Sequence, residues 1–293
     1  MNESIDIPIL SGLAPLMADY DGCILDVWGV MHQGGPAYPE ALTCVRQLRA
    51  AGKRVVFLSN APRLAPQVES VLNGKGVDAT LYDAVIASGD AARLALADRA
   101  RPPVDGLGTR YRLLGPPGSD DVLDGLGYTA AADVETAEFL FGIGLDDASN
   151  RVEDHEPILQ AAAARGLPMI CVNPDLLVIR LGVQEPCAGA LAARYEQIGG
   201  RVRYFGKPYP DVYDLALAKL GLPPARVLAV GDALATDIAG ANAAGLDSVL
   251  ITGGLLADEL DLAPGEAPSA RDLEQACRAA GVRPRAALAA FVW

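Results

Sequence analysis

Apolar residues recur along this chain in two alternating patterns. Short unbroken apolar runs appear at "CILDV" (23–27), "RVVFLSN" (54–60) and "AVIAS" (84–88). Runs of this length bounded by turn residues predict buried strands. Between the first two, "PEALTCVRQLRAAG" (39–52) places Leu42, Val45 and Leu48 at helical spacing and stops at Gly52, which predicts a helix. A turn at "APR" and a second helix through "PQVESVLNGKG" follow the second strand. The βαβα rhythm predicts a parallel sheet with helices on its faces.

The texture changes in "RARPPVDGLGTRYRLLGPPGSDD" (99–121), which is rich in Pro and Gly. Beyond it lie "EFLFGIG" (138–144), a helix at "EPILQAAAARG" (156–166), a strand at "PMICVN" (168–173) and a short alternating segment, "LLVIRLG". These read as a second, self-contained α/β unit. After a helix over 187–200 the first rhythm returns, with strands at "VRYFGK", "RVLAVGD" and "DSVLITGG" and helices between them. The prediction is an α/β chain in which a parallel-sheet core, 1–83 and 187–293, is interrupted by an inserted α/β domain, 84–186. The tail from "ARDLEQAC" onward is expected to be a final helix whose apolar end packs on the core.

A length of 293 residues and a formal charge of −13 narrow the class. The charge argues against nucleic acid or an anionic membrane as partner, because nothing offsets phosphate repulsion. No apolar run approaches a membrane span. The start "MNESIDIPIL" has no basic region and no long apolar stretch, so no signal peptide is expected and a cytoplasmic setting is. The five cysteines (23, 44, 171, 187 and 277) show no metal-binding spacing. They read as buried reduced thiols.

Open parallel sheets bind ligands outside the carboxyl ends of their strands. At those ends the sequence places Asp26, Ser59-Asn60, Lys207, and Gly231-Asp232, with Asp237 five residues on. Each has an ordinary alternative: a turn, a helix N-cap, a solvated lysine, a capped helix. Their recurrence at successive strand ends selects a functional reading. The set is poor in general bases but suits a phosphoryl group and a divalent cation. A carboxylate can attack phosphorus, hard oxygen ligands suit Mg²⁺, and a lysine and hydroxyl can neutralise the transferring oxygens.

The motifs "ILDVWGV", "VVFLSNAPR", "GKPYP" and "VLAVGDALATD", in this order, resemble the haloacid dehalogenase superfamily. "GGPAYPEA", "SNAPR", the mid-chain insertion and "NPDLL…CAGAL" resemble its subclass IIA, which includes nitrophenylphosphatase-like and pyridoxal-phosphatase-like enzymes. The resemblance covers nearly the whole chain. It implies a Rossmann-like core with a large inserted α/β cap, Mg²⁺, and hydrolysis of phosphate monoesters of small metabolites. Related capped proteins often form homodimers, so a homodimer is compatible with it.

Asp19-Tyr20-Asp21-Gly22 matches the family's first-motif letters better than Asp26-Val27-Trp28-Gly29 does. Asp21, however, precedes the apolar strand, and the nucleophile belongs at the strand's carboxyl end, where Asp26 stands. Trp28 then occupies the place of the family's acid/base aspartate. Indole N–H only donates and does not titrate near neutrality, and losing a general acid/base typically lowers rate by ~10²–10⁴. The resemblance implies metal contacts from Asp26, the Trp28 backbone carbonyl and Asp232, with Asp237 beside them or reaching the metal through water. His32 is near enough in sequence to compensate for the lost acid/base; the alternative is a surface or loop histidine. His155 reads as a solvent-facing residue at a helix start.

From the inserted domain, Asn173 and Asp175 are candidates for substrate contact or closure, with an Asx turn as the alternative. Arg63 is a candidate for a substrate phosphate or carboxylate, or for a helix cap. Two function classes follow: a Mg²⁺-dependent phosphatase acting through Asp26, or a phosphometabolite-binding protein of low turnover. The absence of lysine from residues 84–186 argues strongly against phosphonate cleavage through a cap lysine.

Overall fold

The computed structural model describes residues 7–147, 151–263 and 265–293. The first six residues, part of the stretch read as lacking a leader, lie outside them. In chain order the strands begin with β1 (Ile9–Leu10), β2 (Gly22–Asp26), β3 (Arg54–Ser59) and β4 (Ala84–Ala87). Next come β5 (Arg110–Leu114), β6 (Thr129–Ala130), β7 (Phe139–Gly142) and β8 (Pro168–Cys171). A hairpin, β9 (Leu177–Arg180) and β10 (Val183–Pro186), precedes β11 (Arg201–Tyr204). The last three are β12 (Val227–Gly231), β13 (Asp247–Ile251) and β14 (Ala286–Leu288).

These strands form two main sheets. A seven-stranded sheet has the order β1-β14-β13-β12-β2-β3-β4, and every pairing in it is parallel. A five-stranded sheet has the order β11-β8-β7-β5-β6 and is also parallel. Strand order in the larger sheet reverses between β2 and β12, where Leu25 pairs with Val230. A ligand crevice opens at such a switch point, beyond the strands' carboxyl ends. Asp26 and Asp232 therefore stand side by side.

Every residue of β2 is buried, as a strand covered on both faces requires. Cys23 and Leu25 face one helical layer, with Cys44, Val45 and Leu48 of the helix Pro39–Ala50 and Leu72 of Ala65–Gly74. Ile24 faces the other, with Val212, Ala216 and Leu220 of the helix Pro210–Leu220. That second cluster continues into Phe139, Phe141, Ile170 and Phe205 beside the smaller sheet. One apolar core thus joins the two units. The helices Glu156–Ala164 and Ala188–Gln197 cover the smaller sheet's other face.

Several segments differ from the sequence reading. Strand β4 belongs to the larger sheet, while the helix Ala188–Gln197 and β11 belong with the smaller one. Both segments lie across the expected joints at 84 and 187. The apolar pattern of "VRYFGK" does not say which sheet the strand joins, and the return of the first rhythm after it points to the core. The Pro/Gly-rich stretch contains β5, paired on both sides in the smaller sheet. The apolar tail after the helix Ala270–Ala280 is strand β14, which bridges β13 and β1. His155 is 3% exposed; its Nδ1 lies 3.3 Å from the Arg151 carbonyl, so it is not solvent-facing.

All five cysteines are buried and free. Among the described residues no helix is long and apolar enough to cross a membrane.

Candidate active site

Asp26 ends β2 and is 6% exposed. Its Oδ1 accepts a hydrogen bond from Lys207 Nζ, which also donates to Asp237 Oδ1 at 2.7 Å. Lys207 is itself 3% exposed. It does not end a strand of the larger sheet, as the sequence suggested. It stands on the return crossing that follows β11, after Phe205-Gly206 and before a cis peptide bond to Pro208. Its backbone N–H donates to Asn60 Oδ1 at 2.7 Å, and its carbonyl accepts from Asn60 Nδ2 at 3.1 Å. Asn60, just past β3, thus pins the lysine's backbone to the core sheet.

Asp232 follows β12, and Asp237 lies in the π-helical turn Leu234–Ile238. Ligand-capable oxygens of Asp26, Asp232 and Asp237 all lie within 4.8 Å of one another, and all three residues are buried. Glycines make this approach feasible. A Cβ at Gly29, whose φ is +83°, or at Gly254 would come within 2.0 Å of Asp232 Oδ2. One at Gly231 would meet Asp237 Cγ at 2.1 Å. Backbone N–H groups supply part of the solvation: Ala233 donates to Asp237 Oδ2 at 3.1 Å and Leu255 to Asp232 Oδ2 at 3.3 Å. Among the described residues, Asp26 Oδ2 and Asp232 Oδ1 have no hydrogen-bond partner.

Three carboxylates around one ammonium leave an excess of negative charge. Burial, and then Asp237, push the Asp26 carboxyl well above its ordinary range, against the pull of Lys207. Burial and Asp237 likewise raise Asp232 to about 8. Burial opposes the Lys207 charge, but Asp237 and Asp26 outweigh it and hold the ammonium well above its usual value. A hard divalent cation among these oxygens would relieve the repulsion. The donor set therefore fits one: carboxylates only, two of them with free oxygens.

The acids face a cavity of about 720 Å³ between the two sheets. Its lining includes Ser59, Arg63, Asn173, Asp175, Leu177 and Ile179. Ser59 Oγ accepts from the Ala61 N–H at 3.2 Å. Asn173 Oδ1 accepts from the Asp175 N–H at 3.1 Å, so an Asx turn is present and aims Asp175 at the core. There Asn60 Nδ2 donates to Asp175 Oδ1 at 2.8 Å, and burial raises the Asp175 carboxyl above its usual range. Arg63 is exposed where it lines the cavity.

Asp21 lies at the opposite end of β2. Arg226 clamps it with two bonds of 2.8 Å, and that pairing holds its carboxyl below the usual range. Asp19 pairs with Arg285 at 3.2 Å. Neither faces the cavity. His32 is not a surface residue; it is 1% exposed. Its Nδ1 accepts from the Gly34 N–H at 3.1 Å. Burial, with Lys75 and Arg180, pushes it down to about 4, so the ring is neutral at pH 7.

Two family models match the chain. One, described as haloacid dehalogenase-like hydrolase, spans residues 23–129; the other, described as HAD-hydrolase-like, spans 204–276. A haloacid dehalogenase-like hydrolase from Brucella suis shares 32% identity, with 97% of this chain and all of that chain covered and a TM-score of 0.83. This chain belongs to the haloacid dehalogenase-like hydrolases. Human chronophin is 27% identical across 84% of this chain and 85% of its own length. A glycerol phosphate phosphatase from Mycobacterium tuberculosis, solved in complex with calcium, is 26% identical. It covers 82% of this chain and 68% of its own, with a TM-score of 0.63. The second sheet inserted between β4 and the helix Pro210–Leu220 fits subclass IIA of the family.

Sequence reasoning overlooked four contributors to this family's site. Gly29 and Gly254 are visible as glycines, but only the fold shows Asp232 against them. Ser88 bonds the Asn60 and Ala61 carbonyls at 2.9 and 2.8 Å, and nothing in sequence links it to the second motif. Thr236 lines the cavity; its place between Asp232 and Asp237 is the available signal.

Two outcomes follow from the packed carboxylates. Asp232 is raised in the folded state, so that state holds more protons than the unfolded chain between the ordinary carboxylate range and about pH 8. Without a divalent cation, stability therefore falls as pH rises across that window and levels off above it. Added Mg²⁺ should raise Tm more at pH 8.5 than at pH 6; an equal or smaller increment at the higher pH contradicts this. Gly29→Ala should also lower Tm, because a Cβ there meets Asp232 and φ is positive, and its Mg²⁺ increment should shrink.

Proposed function

We propose that this protein is a Mg²⁺-dependent phosphatase that hydrolyses phosphate monoesters of small metabolites through an aspartyl-phosphate on Asp26. One observation carries the reading: a buried carboxylate at a strand's carboxyl end, paired with Lys207, with Asp232 and Asp237 within ligand reach. The phosphatase name of the Mycobacterium tuberculosis neighbour supports it. We also place the divisions so that the core carries β1–β4 and β12–β14, and the cap carries β5–β11. The setting we assign is cytoplasmic, and the partners are small phosphorylated metabolites.

In the first step an Asp26 oxygen attacks phosphorus, the bond to the leaving oxygen breaks, and that oxygen departs as an anion that takes its proton from solvent. In the second, water attacks the aspartyl-phosphate, releases inorganic phosphate and restores the carboxylate. Lys207 must shift from Asp26 towards the phosphoryl oxygens, where the Ser59 hydroxyl and Asn60 amide orient them. Arg63, Asn173 and Asp175 would contact the remainder of the substrate. Bound among Asp26, Asp232 and the Trp28 carbonyl, with Asp237 alongside, Mg²⁺ would neutralise nucleophile and substrate together.

Trp28 shapes the substrate range, because it supplies no proton to the leaving oxygen. Its indole N–H is already given to the Ile179 carbonyl at 3.0 Å. This favours a second reading, a phosphometabolite-binding protein of low turnover.

Phosphate release from a panel of monoesters separates the two. Under the phosphatase reading, activity requires Mg²⁺, disappears with EDTA or Asp26→Asn, and persists in Asp21→Asn. Silence of all three proteins, with binding of Mg²⁺ and phosphate analogues retained, favours the binding protein. Within the panel, aryl phosphates should outpace alkyl phosphates by about 10²–10⁴, the usual contribution of a missing general acid. Equal rates on both would mean that another group protonates the leaving oxygen.

A further inference from the structure

Phosphoryl transfer makes no use of the Trp28 side chain, yet that side chain is well engaged. Its Nε1 donates to the Ile179 carbonyl of β9 at 3.0 Å. The next residue, Arg180, sets its guanidinium 4.6 Å from the indole centroid, and Glu185 on β10 holds it there at 2.7 Å. His32 meets the indole edge-on at 5.0 Å between centroids.

The hairpin itself has little to hold it. It forms its own two-stranded sheet, apart from the five-stranded one, and two-stranded hairpins are marginal in water. Ile179 is its one well-buried side chain in β9. Its two-residue tip is Leu181-Gly182, both at positive φ, and the Leu181 side chain is 74% exposed. The remaining hydrogen bonds to the core are few. Leu181 N–H donates to the Gln33 carbonyl at 3.0 Å, and Gln184 bonds Asp258. Asp258 lies in the helix Leu255–Glu259, whose first N–H faces Asp232. The hairpin thus runs from the loop beyond Asp26 to the helix beside Asp232.

We propose that Trp28 is a positioning residue that anchors the hairpin Leu177–Pro186 over Asp26 and Asp232. At the place where the family holds its acid/base aspartate, this chain holds the fastening of its cap. The hairpin then forms a fixed wall of the leaving-group cavity, through Leu177, Val178 and Ile179. The consequence for substrate rests on the phosphatase reading; the anchoring does not.

Hydrogen exchange read by mass spectrometry tests the anchoring without any substrate. Trp28→Phe keeps a ring and removes the N–H. It should speed amide exchange across 177–186 by roughly five- to tenfold, the worth of one hydrogen bond, and leave β2 and β12 protected as in the wild type. Arg180→Ala should act in the same direction, and the double variant should add less than the sum of the two. If Trp28→Phe does not fold, Arg180→Ala carries the test alone. Unchanged exchange over 177–186, or a rise shared equally by β2 and β12, overturns the proposal. Where the hairpin is loosened, a raised KM for aryl phosphates is the expected kinetic mark. Loosened exchange in a protein that releases no phosphate would uphold the anchor and sink the phosphatase reading.

Discussion

Three buried carboxylates within a few ångströms of one another cannot all stay charged without compensation, and among the described residues Lys207 is the only cation paired with them. Its ammonium bridges Asp26 and Asp237, while Asp232 is left to backbone N–H groups and to whatever cation enters. That imbalance sets the site's chemistry. A pocket holding excess negative charge repels a phosphate monoester until a divalent cation balances it. Burial first, and then this repulsion, raises the Asp26 and Asp232 carboxyls above the range of ordinary surface acids.

The fold's topology brings these groups together. Asp26 and Asp232 come from neighbouring strands at the point where strand order reverses, so the sheet alone sets their separation. Lys207 comes from elsewhere, on the chain's return from the second sheet to the first. Asn60 fixes that crossing by bonding the Lys207 backbone on both sides, and it takes hold of Asp175 from the cap as well. One amide thus couples core motif, lysine and cap. On the far side of the acids the hairpin rests on Trp28. Cap position and catalytic geometry therefore depend on a few polar contacts, above an apolar cluster shared by both units.

Much of this was legible in the sequence because it rests on local rules. Strand-length apolar runs ending in Asp26, Ser59 and Gly231 mark carboxyl ends whatever the sheet order. The choice of Asp26 over Asp21 needed only the direction of β2, and Asp21 indeed sits at the other end, clamped by Arg226. What escaped depends on pairing between distant segments. The apolar pattern of β11 suits either sheet, so it does not reveal that Lys207 follows a strand of the smaller one. β5 was hidden by the prolines and glycines on either side of it. His32 reads as a loop residue and His155 as a solvent-facing helix start, and burial by other segments decides otherwise. No spacing rule connects Trp28 to Ile179, 151 residues away.

The central claim is that Asp26 itself carries the phosphoryl group. Acid quench during turnover of an aryl phosphate with Mg²⁺, followed by peptide mass spectrometry, tests it directly. The account predicts the added mass of one phosphoryl group on the peptide containing Asp26, labile to hydroxylamine and absent in Asp26→Asn. Phosphate release with no such adduct, or with the adduct on another residue, would contradict it.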